Sequence, residues 1–255
     1  MANIASLPVL LKELKLGGFA RHWEALAQKA LDDQWLPQHY LAELCEQETA
    51  ERYQKRLQRY TREAQLPPGK QLAQFDFSAI NGVNKNQVLA LVQQPNWVKH
   101  AGTLLIFGAS GVGKTHLACG IAYGLIEKGI RVKFTTATRI VQTLQQARED
   151  LTLAETLSRL DKYAVLIVDD IGYVKKTNQE TQVLFELIAH RYESGSLIIT
   201  SNQPFSAWDQ IFEDNMMTVA AIDRLVHHAT ILEIDAQSYR KKASIKRRTT
   251  NQQNA

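Results

Sequence analysis

Over residues 1–66 the apolar positions recur three and four apart, and no strand-like alternation interrupts them. Leu7, Leu10, Leu11 and Leu14 share one helical face, and Gly17-Gly18 is expected to end that helix. Phe19, Trp23, Leu26, Ala27 and Ala30 form a second stripe. Pro37 suits the first position of a third helix, which runs to about Arg62. Along that helix Arg52, Lys55, Arg56, Arg59 and Arg62 follow Glu43, Glu46, Glu48 and Glu51, some of them one helical turn away. The mixture favours pairing along the helix over a nucleic-acid face. Leu66-Pro-Pro-Gly69 breaks the pattern, and a domain boundary is expected there.

Residues 67–101 read as a linker and lead-in with one short helix near Asn86–Gln93. From Gly102 the pattern changes. Short apolar runs at 103–107, 131–135, 164–168, 196–200 and 229–234 alternate with helical stretches. Runs of that kind are strands buried on both faces, so the pattern predicts an α/β domain with a five-stranded parallel sheet over 102–240. A small all-helical domain, 1–66, precedes it, and a basic, disordered tail, 241–255, follows.

The first strand leads into Gly108-Ala109-Ser110-Gly111-Val112-Gly113-Lys114-Thr115, with His116 opening an apolar helix. This is the phosphate-loop pattern in its proper setting. A strand delivers a turn whose N–H groups converge on one anion, and the next helix adds its positive dipole end. Lys114 is expected to reach the β- and γ-phosphates of ATP, and the Thr115 hydroxyl to sit on Mg²⁺. The run Ala164-Val-Leu-Ile-Val-Asp169-Asp170 ends in two acids, which a buried strand delivers to the sheet edge where the loop opens. Asp169 would hold Mg²⁺ beside Thr115. Asp170 would orient the attacking water, a role that an ATP hydrolase needs and a kinase does not. The alternative is a surface turn. Asn202, after the run Leu197-Ile-Ile-Thr-Ser, is a candidate for holding that water or reading the γ-phosphate, with a turn role before Pro204 as the alternative. Arg224 is either a finger into a neighbouring subunit's ATP or the partner of Asp223 in a surface ion pair.

Charge changes the picture in one region. The net charge is +4, yet six cations and no acid follow Asp235, so residues 1–235 carry +4 − 6 = −2. A basic tail with Lys241 and Lys242 suits nucleic-acid phosphates or simple solvation. Cys45 and Cys119 lack metal-ligand spacing and are expected as buried free thiols, in keeping with a cytoplasmic location. His227 and His228 have no partner at ligand spacing. No run of apolar residues is long enough to span a membrane, and no secretory signal is evident.

These segments together resemble the IstB/DnaC branch of the AAA+ ATPases. The match is carried by the phosphate loop with Thr115-His-Leu-Ala118, by Asp169-Asp170-Ile-Gly-Tyr173 and by Ile199-Thr-Ser-Asn202. Phe205-x-x-Trp208, Asp223-Arg224-Leu-Val-His227 and Ser238-Tyr-Arg240 add to it. It is nearest to the IstB-type proteins encoded beside the transposase of a bacterial insertion sequence. Members often carry Asp-Glu where this chain has Asp169-Asp170, and Gly before Ser-Tyr-Arg where it has Ala236-Gln237. The resemblance implies a finger role in trans for Arg224, a first-sensor role for Asn202 and a second-sensor role in cis for Arg240. It also implies self-association, duplex DNA bound largely without regard to sequence, and the element's transposase as partner. Its DNA contacts would come from Thr136, Thr138 and Arg139, with Lys175 and Lys176 as a second group. The rival within the branch is a helicase loader acting on single-stranded DNA. A small-molecule kinase and a non-hydrolysing ATP-bound scaffold are the readings from other classes, and Asp170 speaks against both.

Overall fold

In the computed structural model the described residues are 4–172, 177–204, 207–208, 215–227, 229–236 and 238, with the side chains of 215–218 left aside. Two compact units divide between Arg59 and Tyr60. That point lies inside the third helix and upstream of Leu66-Pro-Pro-Gly69.

The first unit contains α1 (Leu7–Glu13), α2 (Gly17–Asp32) and most of α3 (Pro37–Ala64). Here the glycine pair departs from expectation, because it opens α2 instead of ending α1. Lys15, at φ 56°, adopts the left-handed turn that separates the two helices. Gly18 has a different task. A Cβ on it would lie 2.8 Å from the Glu48 Cα, so only glycine lets α2 come this close to α3. The buried Glu48 carboxylate then accepts hydrogen bonds from the Gly18 amide at 2.5 Å and the Phe19 amide at 3.3 Å, capping a helix that has no side-chain cap of its own. Arg52 donates to the same carboxylate from one turn along α3.

The second unit is a three-layer α/β domain. Its strands are β1 (Thr103–Gly108), β2 (Val132–Thr136), β3 (Val165–Asp169), β4 (Ser196–Ser201) and β5 (Ala229–Ile234). All pair in parallel, in the order β2-β3-β4-β1-β5. Two strands begin one residue later than the apolar runs suggest, so Asp169 is the last residue of β3 and not the first beyond it. On one face, α6 (Lys114–Glu127) and α4 (Lys85–Gln93) pack through Leu117, Ile121, Leu125 and Val88 onto Leu104, Ile106, Val165, Ile167 and Ile198. On the other, α7 (Ala137–Glu149), α8 (Leu153–Leu160), α9 (Asn178–Arg191) and α10 (Asn215–His227) cover Leu105, Phe107, Leu166, Val168, Leu197 and Ile199.

The lead-in holds more structure than its sequence suggests. Besides α4 it forms α5 (Asn96–Lys99) and two short 3-10 turns, Leu72–Gln74 and Phe77–Ala79. Asn81 also pairs with Asp235 through two backbone hydrogen bonds of 2.8 and 3.0 Å. Such pieces are too short for periodicity to reveal. Of the two cysteines, Cys119 is buried as expected and Cys45 is exposed, and both are free. Cys45 lies on α3 away from the face that buries Leu44 and Glu48.

Burial pushes the Glu48 carboxyl upward, but Arg52 and the Gly18 and Phe19 amides outweigh it and hold the group below its ordinary 4.5. A lowered folded pKa stabilises the fold above the unfolded value and loses that contribution as pH falls through the folded one. Glu48→Gln should therefore cost about 1–3 kcal/mol at pH 7. In melting curves from pH 7 to pH 3 the gap between variant and parent should close towards the acid end.

Candidate functional site

The carboxyl ends of β1, β3 and β4 lie side by side, because the sheet order sets β4 between the other two. The phosphate loop, Asp169, Asp170 and Asn202 gather at that edge. The turn after β1 bends through glycines at φ 145°, 83° and 106°, at Gly108, Gly111 and Gly113. At Gly108 a Cβ would meet the Ile234 carbonyl oxygen at 2.5 Å, and at Gly113 it would meet the Phe75 ring at 3.0 Å, so these two are fixed by contact as well as by φ. Ala109 and Ser110 stand exposed at the tip, while Val112 anchors the loop in the core. The buried Lys114 turns its ammonium back over the loop, donating to the carbonyls of Gly108 at 2.8 Å and Ala109 at 2.9 Å. His116 donates from Nε2 to the Gln71 carbonyl at 3.1 Å and meets Phe75 edge to face.

Asp169 is the centre of the polar network. Its carboxylate accepts from the Thr115 hydroxyl at 2.9 and 3.0 Å, joining β3 to the helix that begins in the phosphate loop. A second hydroxyl, that of Thr200 on β4, donates to the same carboxylate at 2.7 Å. The Thr200 oxygen in turn accepts the Asp170 amide at 2.8 Å, and the Ile171 amide donates to the Thr200 carbonyl at 3.0 Å. Asp170 sits at φ 66°, a left-handed conformation that aspartate tolerates better than most residues and that these bonds hold in place. Sequence reasoning passed over Thr200. The signal available was a hydroxyl inside an otherwise apolar strand, where a buried polar group needs a partner. Thr200 is 1% exposed.

Asn202 follows β4 one step beyond the Phe107–Ser201 pair, which puts it beside Gly108. Its Oδ1 is buried and accepts no hydrogen bond among the described residues. A buried oxygen of this kind calls for a donor from a ligand or a water. Trp208 is buried near the Phe107 ring, with its indole N–H donating to the Gln203 carbonyl at 3.2 Å.

Arg224 is elsewhere. It lies in the last turn of α10, whose end precedes Ala229, the residue paired with Thr103 at the start of β1. With Ala101, Thr103 and Leu197 it lines a small cavity at the amino edge of the sheet. Five strand steps of about 3.3 Å separate Thr103 from Gly108, roughly 16 Å, which is beyond an arginine's reach. The guanidinium stands 5.0 Å over the Phe185 ring and donates to the Ala220 carbonyl at 3.4 Å, so the ion pair with Asp223 does not form.

Thr136 caps α7, its hydroxyl accepting the Arg139 amide at 3.3 Å, while Thr138 and Arg139 are exposed in the first turn. The register sets Thr136 against Asp169, so this group borders the same edge as the phosphate loop. Lys175, Lys176, His228, Arg240, Lys241 and Lys242 lie outside the described residues. Among the described residues no His, Cys, Asp and Glu cluster has the geometry of a dedicated metal site, and no helix is long and apolar enough to cross a membrane.

The residues fit a nucleoside triphosphate with its cation. Glycines that no Cβ could replace leave the backbone bare for phosphate, and one hydroxyl plus one carboxylate form the hard oxygen set that Mg²⁺ prefers. Near them the Cys119 thiol, pushed up to about 12 by burial and by the Asp169 charge, remains protonated and inert. Thr200→Val keeps the shape of the strand and removes the hydroxyl that steadies Asp169. Mg²⁺-dependent ATP binding, measured by titration calorimetry, should weaken roughly 10–100-fold, while Ser201→Ala one position on should change it little.

Residues 9–247 match the family described as IstB-like ATP binding protein. An insertion-sequence ATP-binding protein of Sinorhizobium fredii is 45% identical over 241 residues, spanning 94% of this chain and 81% of that one. The counterpart from insertion sequence IS21 of Pseudomonas aeruginosa is 35% identical over 236 residues, 92% of this chain and 89% of that one. Among solved structures, DnaI is 22% identical with a TM-score of 0.53, over 65% of this chain and 90% of DnaI. AMPPCP-bound DnaA from Aquifex aeolicus is 19% identical with a TM-score of 0.55, over 67% of this chain and 51% of that one. Identities this low establish a shared fold only, that of the AAA+ proteins. The chain belongs to the IstB-like ATP-binding protein family.

Proposed function

We propose that this protein is a Mg²⁺-dependent ATP hydrolase that assembles on duplex DNA and recruits or stimulates a transposase, with hydrolysis as its switch. The observation that carries the proposal is the separation of Arg224 from its own phosphate loop by the length of a strand. A finger that cannot serve its own subunit serves a neighbour, so the complete site forms only between copies. Repeating one head-to-tail contact builds an open helix or a ring, a shape suited to following DNA. Relatives named as insertion-sequence ATP-binding proteins support a partner from the same element, for which the transposase is our assignment.

In this mechanism the amides of residues 109–115 bind the phosphates, and the Lys114 ammonium exchanges its two carbonyl partners for phosphate oxygens. Thr115 and Asp169 would hold Mg²⁺, which would supply positive charge against the charge that develops on the transferred phosphoryl group. The Asp170 carboxylate, tied at its backbone to Thr200, orients a water for in-line attack and takes its proton. Asn202 donates from its amide to the same water or to the γ-phosphate. The neighbour's Arg224 leaves its place on Phe185 to meet negative charge in the transition state, and Arg240 acts from within the subunit. The small helical unit offers a surface for the protein partner.

Two experiments test this reading. Arg224→Ala should leave ATP affinity intact and lower DNA-stimulated hydrolysis on the order of 10³-fold. Mixing Arg224→Ala with Lys114→Ala, each inactive alone, should restore part of the activity, because some interfaces then join a working loop to a working finger. Absence of any restoration would overturn action in trans. Stimulation by duplex over single strands is the second expected outcome, and stimulation by single strands alone would instead support a helicase loader.

A further inference from the structure

The open side of β2 carries a cationic strip that neither the nucleotide nor the finger uses. β2 is the last strand on its side of the sheet. Arg131 immediately precedes it, Lys133 lies within it, and Arg139 stands in the first turn of α7 that follows. Lys162 joins them from the approach to β3, the strand paired with β2. Three of the four surround one buried ring. From the Tyr163 centroid, Lys162 is 5.0 Å away, Arg131 5.5 Å and Lys133 5.9 Å.

Neutralisation there is incomplete. Glu63 is taken by Arg131, through Nε and Nη2 at 2.8 Å each. Lys133 makes do with neutral oxygens, donating to the Glu63 carbonyl at 3.2 Å and the Gln65 amide oxygen at 2.6 Å. Asp161 adjoins Lys162 in sequence, but its carboxylate meets His190 at 3.0 Å and Arg191 at 3.7 Å. Four cations thus stand against one carboxylate. Burial first, and then the charges of Lys162 and Arg139, hold the Lys133 ammonium below its ordinary value, with Glu63 opposing them only in part. Lys133 therefore feels both exposed cations. Like charges gathered at a cost to the free protein are repaid when a polyanion arrives.

We infer that Lys133, Arg139 and Lys162 form a phosphate-backbone contact along the β2 edge, extending the DNA face from the α7 N-terminus back to the foot of β3. The inference rests on the proposed binding of DNA and specifies where part of it occurs. A nucleic acid suits this strip better than an acidic protein surface. β2 covers about 13 Å, the axial span of about four successive phosphates on one strand. The ring at its centre is buried and offers neither an apolar anchor nor a stacking platform. With only cations to offer, the strip reads charge and not sequence.

The test is the salt dependence of binding by the full chain, with ATP, to a fluorescent duplex of mixed sequence and to the matching single strand. Lys162→Gln should weaken duplex binding roughly tenfold near physiological salt and make the slope of log K against log salt shallower by about 0.9. Adding Arg139→Gln should flatten it by a similar step, and Lys162→Arg should restore the parental slope. Lys85→Gln, an exposed cation at the start of α4 near the β5 side of the sheet, should leave the slope unchanged. A parental slope in Lys162→Gln, or an equal loss in the Lys85 control, overturns the strip while leaving DNA binding in place. Effects confined to the single strand overturn the duplex assignment. A parental chain that binds neither form overturns the proposed function and this inference with it.

Discussion

The second unit depends on one buried carboxylate held by two hydroxyls from different elements. Asp169 ends β3, Thr115 starts α6, and Thr200 belongs to β4. Remove the shared carboxylate and three elements lose their common polar point at the sheet edge. Its position also explains why Asp170 can hold a left-handed backbone, since the hydroxyl that donates to Asp169 accepts the Asp170 amide. A buried hydrogen-bonded network is costly unless every member is satisfied, and for the same reason it specifies a unique arrangement when all are. One threonine on β4 thereby fixes the geometry of two acids at the end of β3.

Much of this was legible in the sequence, and the exceptions have physical causes. The phosphate loop, the five strands and the acids at the end of β3 follow from period and spacing. These features are local, and the strands are long enough for buried runs to show. Thr200 stayed hidden because nothing local distinguishes a threonine that bonds across the sheet from one that merely favours a strand. The turns of the lead-in were invisible because they are too short to have a period. Gly17-Gly18 misled for a different reason. Glycine both ends helices and permits close packing, and only the approach of Glu48 from another helix decides between them.

The same sheet divides its functions between two edges. At the carboxyl edge the parallel strands present loop amides, acids and Asn202. At the amino edge, Arg191 donates to the carbonyls of Tyr163 at 3.0 Å, Ala164 at 3.1 Å and Ser196 at 3.0 Å, bracing the starts of β3 and β4. Gly195 is required beside it, because a Cβ there would strike the guanidinium carbon at 2.3 Å. Arg191 and Arg224 line one cavity. The buried arginine therefore stiffens the edge that Arg224 also lines, at a cost in desolvation that its carbonyl partners offset in part, since its Nε finds no acceptor among the described residues.

If Arg224 acts in trans as proposed, the bracing constrains how nucleotide and assembly are linked. It would leave the finger little freedom to search, so the neighbouring subunit would have to deliver its phosphates to the right place. That placement depends on the loop, and the loop is covered at Gly113 by Phe75 of the lead-in. The lead-in is tied at Asn81 to Asp235 beyond β5, and Gly108 pairs with Ile234 on that strand. Loop, lead-in and the end of β5 accordingly share contacts. Coupling of this kind needs no long pathway. It needs only that Phe75 of the lead-in and Ile234 of β5 meet the same loop, one at Gly113 and the other at Gly108.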